Sequence, residues 1–128
     1  MTRILLVDDD DLSRTTVHQM LERAGHDVRS TNSGREALTL YRADPAELVV
    51  TDLIMPDTDG LELIQELRKH HAAVRILAIS GGGRVNANEY LTVARRFGAS
   101  GVLAKPFSNQ ELREAVTAAL GTSPTDAK

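Results

Sequence analysis

Acidic residues near the start and in the middle of the chain are the first candidates for chemistry. Residues 8–11 are all aspartate and follow the apolar segment 4–7, and Asp52 follows the apolar segment 48–50. A run of carboxylates after a strand is also typical of a helix start, where negative charge is favourable. Asp52 is more informative, because a charge placed between apolar residues is costly unless something pairs with it.

Two further polar residues stand at the ends of similar apolar segments. Ser80 follows segment 76–79, and Lys105 follows segment 102–104. If these segments are parallel strands, their carboxyl ends meet at one edge of a sheet, where ligands of such folds collect. We therefore expect a hydroxyl and an ammonium to lie near the carboxylates.

The charges of this group indicate what it would bind. Asp8, Asp9 and Asp52 bring three negative charges together, and Lys105 returns one, so a divalent cation would balance the remaining two. The chain has no cysteine, and a site made of oxygen ligands favours a hard ion such as Mg²⁺. A carboxylate can act as nucleophile, while a metal ion and a fixed ammonium neutralise a transferring phosphoryl group. The residues therefore predict phosphoryl transfer.

The rest of the sequence predicts the elements that would hold these residues. Short apolar segments rich in branched residues recur along the chain and favour strands. Between them, apolar residues repeat with helical spacing, as in Val17, Met20, Leu21 and Ala24. The order is β-α five times, and most strands lack strict alternation, which indicates that helices cover both faces. The prediction is an α/β fold with an open parallel sheet.

Composition excludes several classes of protein. The chain has 128 residues, a net charge of -3, no cysteine and four aromatic residues. A single domain is expected from the length, and neither a basic stripe nor a stacking platform for nucleic acid is present in the sequence. No apolar run approaches the roughly 20 residues that span a bilayer. The N-terminus shows no separate signal segment, so we expect a cytoplasmic protein that binds neither nucleic acid nor membrane.

Four motifs in order carry a family resemblance. They are LVDD at 6–9, VTDLIMPDTDG at 50–60, IS at 79–80 and AKPF at 104–107. The sequence resembles the receiver domain of two-component response regulators, of the stand-alone type, over about residues 3–120. The resemblance implies a flavodoxin-like (βα)5 fold with strand order 2-1-3-4-5. We expect the receiver domain to span residues 1–121 and residues 122–128 to form a polar tail.

The resemblance also implies roles for the acidic residues. Asp52 matches the phosphoacceptor, which takes a phosphoryl group from a phosphohistidine. Asp8 and Asp9 match the acidic pair that holds Mg²⁺, with Asp9 favoured as a direct ligand. Asp52 and the main-chain carbonyl of Ile54 would complete the protein ligands.

The remaining roles concern the phosphoryl group and the partners. Lys105 matches the lysine that pairs with phosphoryl oxygens and precedes a predicted cis proline, and Ser80 matches the hydroxyl residue that moves toward them. The implied phosphodonor is a sensor histidine kinase or a histidine phosphotransfer protein. The family often has an aromatic switch residue where this chain has Val102. We therefore expect the displacement of Ser80 after phosphorylation to pass through the glycine-rich residues 81–84 into helix 4, the predicted helix that contains Tyr90, Leu91, Ala94 and Phe97. The face of helix 4, strand 5 and helix 5 is then the surface for a downstream partner.

Three alternatives compete with this interpretation. A small Mg²⁺-dependent phosphohydrolase could use an aspartate at the end of strand 1, but it would leave Asp52 without a purpose. A flavodoxin-like cofactor binder would need a phosphate loop after strand 1 and aromatics to enclose a flavin. The chain could also be the receiver part of a longer regulator.

Overall fold

Strands and helices alternate from Arg3 to Gly121. The computed structural model describes residues 2–53, 60–80 and 87–121, with the main chain alone for residues 87–91. The elements are β1 (Arg3–Val7), α1 (Asp11–Arg23), β2 (Asp27–Thr31), α2 (Gly34–Ala43), β3 (Leu48–Asp52), α3 (Gly60–His70), β4 (Ile76–Ser80), α4 (Ala87–Arg96), β5 (Gly101–Ala104) and α5 (Asn109–Gly121). The predicted β-α repeat is confirmed.

The five strands form one parallel sheet. Its order is β2-β1-β3-β4-β5, and the four neighbouring pairs are all parallel. The strand order reverses at β1, because β2 lies on one side of it and β3 on the other. In open α/β sheets a ligand crevice lies at such a reversal, beyond the carboxyl ends of the strands. The predicted fold and strand order are confirmed.

Helices cover both faces of the sheet, as the weak alternation of the strands predicts. Leu5 and Val7 of β1 pack into a cluster that includes residues of α2 and α3. Ile4 and Leu6 point to the opposite face, into a cluster with residues of α1 and α5. Successive strand residues therefore alternate between two buried faces, and the strands read as continuous apolar runs.

Polar side chains fix where the helices begin. The Asp10 carboxylate accepts from the main-chain NH of Leu12 at 3.3 Å and caps α1. Ser108 Oγ accepts from the NH of Glu111 at 3.0 Å, and the Glu111 carboxylate accepts from the NH of Ser108 at 2.9 Å. This reciprocal pair is a capping box and fixes the first turn of α5.

At the edge of the sheet opposite the crevice, the Arg68 guanidinium bridges two connecting segments. Arg68, near the end of α3, donates from Nη1 to the carbonyl oxygens of Ala72 at 2.9 Å and Val74 at 2.6 Å. Its Nη2 donates to the carbonyl oxygen of Gly98, just past α4. Gly98 has a φ of 116°, a conformation that favours glycine after a helix. Arg68 therefore connects the ends of α3 and α4.

A helix needs about 20 predominantly apolar residues to span a bilayer. Within the described ranges, none of the helices is long and apolar enough to cross a membrane.

Candidate functional site

Four predicted site residues lie where strands end at one edge of the sheet. Asp52 and Ser80 are the last residues of β3 and β4, while Asp8 and Lys105 directly follow β1 and β5. Asp52 is in register with Ile79, and the NH of Lys105 donates to the carbonyl oxygen of Ser80 at 2.8 Å. The parallel register therefore brings together residues that are far apart in the sequence.

The Lys105 ammonium contacts carboxylates from two of the other sequence motifs. Its Nζ lies 2.9 Å from Asp52 Oδ2 and 3.3 Å from Asp8 Oδ2. It also donates to Ser13 Oγ at 2.9 Å. The side chains of Asp8, Asp52 and Lys105 are 4%, 13% and 25% exposed, so these charges interact at the rim of the core and are only partly screened by water.

Asp8 is held from several directions. Its Oδ1 accepts from the NH of Asp10 at 3.0 Å while its Oδ2 accepts from Lys105. Its carbonyl oxygen accepts from Arg14 Nη1 at 2.9 Å, and Arg14 Nη2 also pairs with Asp11 at 2.7 Å. Both carboxylate oxygens of Asp8 are therefore engaged, and the first turn of α1 is fixed against the site.

The pKa values of two groups respond to this arrangement. Burial alone would lower the pKa of Lys105, but the hydrogen bonds and charges of Asp52 and Asp8 outweigh burial and raise it. For Asp9, burial raises the pKa, and the charges of Asp8, Asp52 and Asp10 raise it further against a hydrogen bond from its own main chain. The carboxylate cluster thus carries more negative charge than Lys105 compensates.

A divalent cation fits this excess of negative charge. Oxygen is the donor of every acidic side chain in the cluster, and oxygen is the donor that Mg²⁺ prefers. Besides burial, the negative charges of Asp8, Asp52 and Asp10 raise the pKa of Asp9, and a cation beside Asp9 would offset them. Among the described residues, no three acidic or histidine side chains form a complete ligand cluster. The Lys105 ammonium lies between the carboxylates of Asp8 and Asp52 and contacts both. Mg²⁺ needs only one or two carboxylates beside water and phosphate oxygens. Ile54, the predicted main-chain ligand, lies outside the described residues.

Ser80 is placed at the same edge with its hydroxyl buried. The residue is 1% exposed, and its Oγ has no hydrogen-bond partner in the part of the chain that the structure describes. Such a group is costly to leave unsatisfied.

The Lys105–Pro106 peptide bond is cis, as the resemblance predicts.

A close backbone contact supports the end of β3. The NH of Gly60, the first residue of α3, donates to the carbonyl oxygen of Leu53 at 2.9 Å. A Cβ at Gly60 would lie 2.4 Å from the carbonyl oxygen of Asp52 and 2.4 Å from Cα of Leu53. Glycine is therefore required for α3 to begin this close to the end of β3.

Sequence reasoning missed Ser13. The sequence could have pointed to Ser13, because Ser13 follows Asp8 by only five residues. It therefore lies in the first helical turn after β1, close to the ends of the strands. The sequence does not show which residue would bond the Ser13 hydroxyl, so Ser13 resembles any polar residue in the first turn of a helix.

Comparisons with known proteins agree with this geometry. The response regulator receiver domain family matches residues 4–117. The chain is 39% identical to the DNA-binding transcriptional regulator NtrC of Azospirillum brasilense over 125 residues, which cover 94% of this chain and 24% of NtrC. It is 29% identical to the chemotaxis protein CheY of Halobacterium salinarum, with 90% of this chain and 93% of CheY covered.

Solved structures show the same fold. The receiver domain of NtrX from Brucella abortus matches with a TM-score of 0.87 and 33% identity, over 94% of this chain and 99% of that one. The chain spans only about a quarter of NtrC and a little over half of the response regulator MprA of Mycolicibacterium vanbaalenii, to which it is 36% identical over 97% of its own length. On its sequence and its fold, the chain belongs to the response regulator receiver domain family.

Proposed function

We propose that Asp52 is the phosphoacceptor of this receiver domain. The observation that carries the proposal is the Lys105 ammonium, 2.9 Å from Asp52 Oδ2 at the carboxyl edge of the sheet. Asp52 is better suited as nucleophile than Asp8, because the Asp52 side chain is 13% exposed and the Asp8 side chain only 4%. This argues against a phosphohydrolase that would use an aspartate after β1.

The proposed reaction is a transfer of one phosphoryl group. An oxygen of Asp52 forms a bond to phosphorus as the bond from phosphorus to the histidine nitrogen of the donor breaks. The electron pair of that bond leaves with the imidazole, which takes up a proton. Lys105 then offsets negative charge on the phosphoryl oxygens. The chain would act as a phosphoacceptor that promotes its own phosphorylation and its own dephosphorylation by water, and not as an enzyme with turnover of a separate substrate.

Receiver domains bind Mg²⁺ in general, and here Asp9 would be the direct ligand, with Asp8, Asp52 and the carbonyl of Ile54. When bound, the ion supplies positive charge to the phosphoryl oxygens. Asp9 is favoured over Asp8 because the Asp8 oxygens already accept from Asp10 and Lys105.

The proposal extends to the response that follows phosphorylation. Ser80 would donate its buried hydroxyl to a phosphoryl oxygen, which would satisfy a group left without a partner among the described residues. The displacement would then pass from β4 toward α4, through residues 81–84, which lie outside the described residues. This route replaces the movement of an aromatic that is common in the family, because the chain has Val102 at that position. Since the displacement would reach α4, the face of α4, β5 and α5 is the proposed contact for a downstream protein.

Partners and boundaries complete the proposal. Receiver domains interact with histidine kinases and with downstream effectors, and the phosphodonor proposed here is a sensor histidine kinase or a histidine phosphotransfer protein. The relatives include DNA-binding regulators in which the matching part is a fraction of the protein, so the receiver part of a longer regulator stays an alternative to a stand-alone domain. We retain residues 1–121 as the domain and a cytoplasmic location as part of this proposal.

Intact-mass measurement tests the phosphoacceptor. The chain is incubated with acetyl phosphate, with Mg²⁺ or with a chelator, and we expect the mass of one phosphoryl group to be added only with Mg²⁺. Asp52→Asn should gain nothing. Asp27→Asn is the matched control, because Asp27 is an exposed aspartate at the first residue of β2, at the end of the strand away from the site. Phosphorylation of the Asp52→Asn variant would refute the assignment.

A further inference from the structure

The Lys105 ammonium has a third acceptor that the proposed chemistry does not use. An ammonium has three hydrogens to donate, and three acceptors surround this one. They are Asp52 Oδ2 and Ser13 Oγ at 2.9 Å each and Asp8 Oδ2 at 3.3 Å. The donor capacity of the lysine is therefore filled by three different elements of the fold.

Ser13 is held firmly enough to act as an anchor. It is the third residue of α1, whose start is capped by Asp10. The next residue, Arg14, joins the helix to the carbonyl oxygen of Asp8 and to the Asp11 carboxylate. Because the helix turn is fixed on both sides of Ser13, the position of its Oγ is set by the backbone and one side-chain torsion.

A third acceptor changes what the lysine can do. The lysine side chain is long and flexible, and two contacts alone would leave Nζ free to swing about the line that joins the two carboxylates. The contact with Ser13 removes that freedom. Because the serine hydroxyl is neutral, it fixes the ammonium without adding negative charge to a cluster that already has an excess.

We propose that Ser13 is a positioning residue that holds the Lys105 ammonium against Asp52 and so sets the rate at which Asp52 is phosphorylated. The proposal rests on the proposed function of Asp52. Charge stabilisation in a transfer reaction is effective when the stabilising group is already in place, and misplacement of such a group slows the reaction. Ser13 acts through Lys105 and need not touch the phosphoryl group.

The phosphorylation rate gives the first test. With acetyl phosphate at saturating Mg²⁺, we expect Ser13→Ala to react about three- to tenfold more slowly than the wild type, the range expected for one lost hydrogen bond. Ser13→Thr keeps the hydroxyl and should restore most of the rate. Thr16→Ala is the matched control, because Thr16 lines the same groove of α1, is exposed, and is not among the three acceptors.

Nitrogen-15 NMR of the lysine ammonium groups gives a second test that needs no phosphorylation. The chain has three lysines, Lys69, Lys105 and Lys128, so the assignment follows from Lys105→Met. An ammonium held by three acceptors exchanges its hydrogens slowly and gives a sharp signal. We expect this signal in the wild type and in Ser13→Thr, and its loss or broadening in Ser13→Ala.

The two tests separate the possible failures. If the wild type is phosphorylated and Ser13→Ala reacts equally fast, or Ser13→Thr reacts as slowly as Ser13→Ala, the role of Ser13 is wrong while Asp52 stands. A wild type that lacks the sharp Lys105 signal also overturns the role of Ser13. If the wild type gains no phosphoryl group at all, the proposed function fails, and the proposed effect of Ser13 on rate fails with it.

Discussion

The contact between Gly60 and the end of β3 makes Gly60→Ala a sharp test of the site's architecture. The added Cβ would lie 2.4 Å from the Asp52 carbonyl oxygen and 2.4 Å from Leu53 Cα, whereas ordinary van der Waals contact begins at 3.4 Å. Both neighbours are main-chain atoms, so no side-chain rotation can relieve the overlap. The start of α3 and the end of β3 must separate by about 1 Å, measured against that contact distance.

This separation has an energetic cost and a functional one. Overpacking of this kind costs about 1–3 kcal/mol, and the better helix propensity of alanine offsets less than about 1 kcal/mol at the first residue of a helix. We expect a net loss of about 1–2 kcal/mol in the free energy of unfolding, combining these two terms. Because the Asp52 carbonyl itself must move, the carboxylate also shifts relative to Lys105, and we expect phosphorylation to slow by at least about tenfold.

Urea unfolding and the rate of phosphorylation by acetyl phosphate measure the two effects. Gly121→Ala is the matched control, since Gly121 is exposed at the end of α5 and an added Cβ meets nothing within 4 Å in the described part of the chain. Its stability should stay within about 0.5 kcal/mol of the wild type. A Gly60→Ala protein with wild-type stability and wild-type phosphorylation rate would refute the inferred contact.

Three further substitutions probe the charges and the opposite edge. Lys105→Met should lower the free energy of unfolding by about 2–4 kcal/mol at low salt, because Asp8 and Asp52 lose the ammonium that pairs with them. The same variant should bind Mg²⁺ at least as tightly as the wild type in calorimetry, because a positive charge has been removed from the site. Asp9→Asn should be more stable than the metal-free wild type at pH 7, because burial and the neighbouring carboxylates disfavour the ionised Asp9. Since folding raises the pKa of Asp9 above 3.8, its ionised form destabilises the fold, so this difference should shrink as the pH falls through the raised pKa and vanish below 3.8; a constant difference across that range would contradict the cause. Arg68→Met should lower the free energy of unfolding by about 2–4 kcal/mol in urea, because the carbonyl oxygens of Ala72, Val74 and Gly98 lose the guanidinium that donates to them. An unchanged midpoint would show that these bonds contribute nothing.

Most of the fold could be predicted from local patterns. Strand segments and helix periods are properties of neighbouring residues, and caps such as Ser108 depend on residues within one turn. The sheet order came from the family resemblance, because pairing between strands joins residues that are far apart in sequence. The prediction that Asp8, Asp52 and Lys105 meet followed from the rule that carboxyl ends of parallel strands share an edge.

The contacts that fine-tune the site could not be predicted in this way. The bond from Lys105 to Ser13 joins residues 92 positions apart, and it depends on a lysine torsion and a helix rotation that no periodic pattern specifies. The acceptors of Arg68 are equally hidden, because they are carbonyl oxygens, which every residue has. Sequence patterns identify which side chains reach a common edge, whereas three-dimensional coordinates are needed to say which atoms pair.

The bonds of Arg68 also constrain how α4 can respond to events at the other edge of the sheet. Arg68 holds Gly98, next to the carboxyl end of α4, while the amino end of this helix follows the segment after Ser80. A ten-residue helix is about 15 Å long, so a swing of about 10° about the Gly98 end carries the amino end through about 3 Å. A movement of α4 that keeps the bond to Gly98 can therefore tilt the helix about its carboxyl end, with the largest displacement at the amino end, near the carboxyl edge of the sheet. A slide along the helix axis would first have to break this bond.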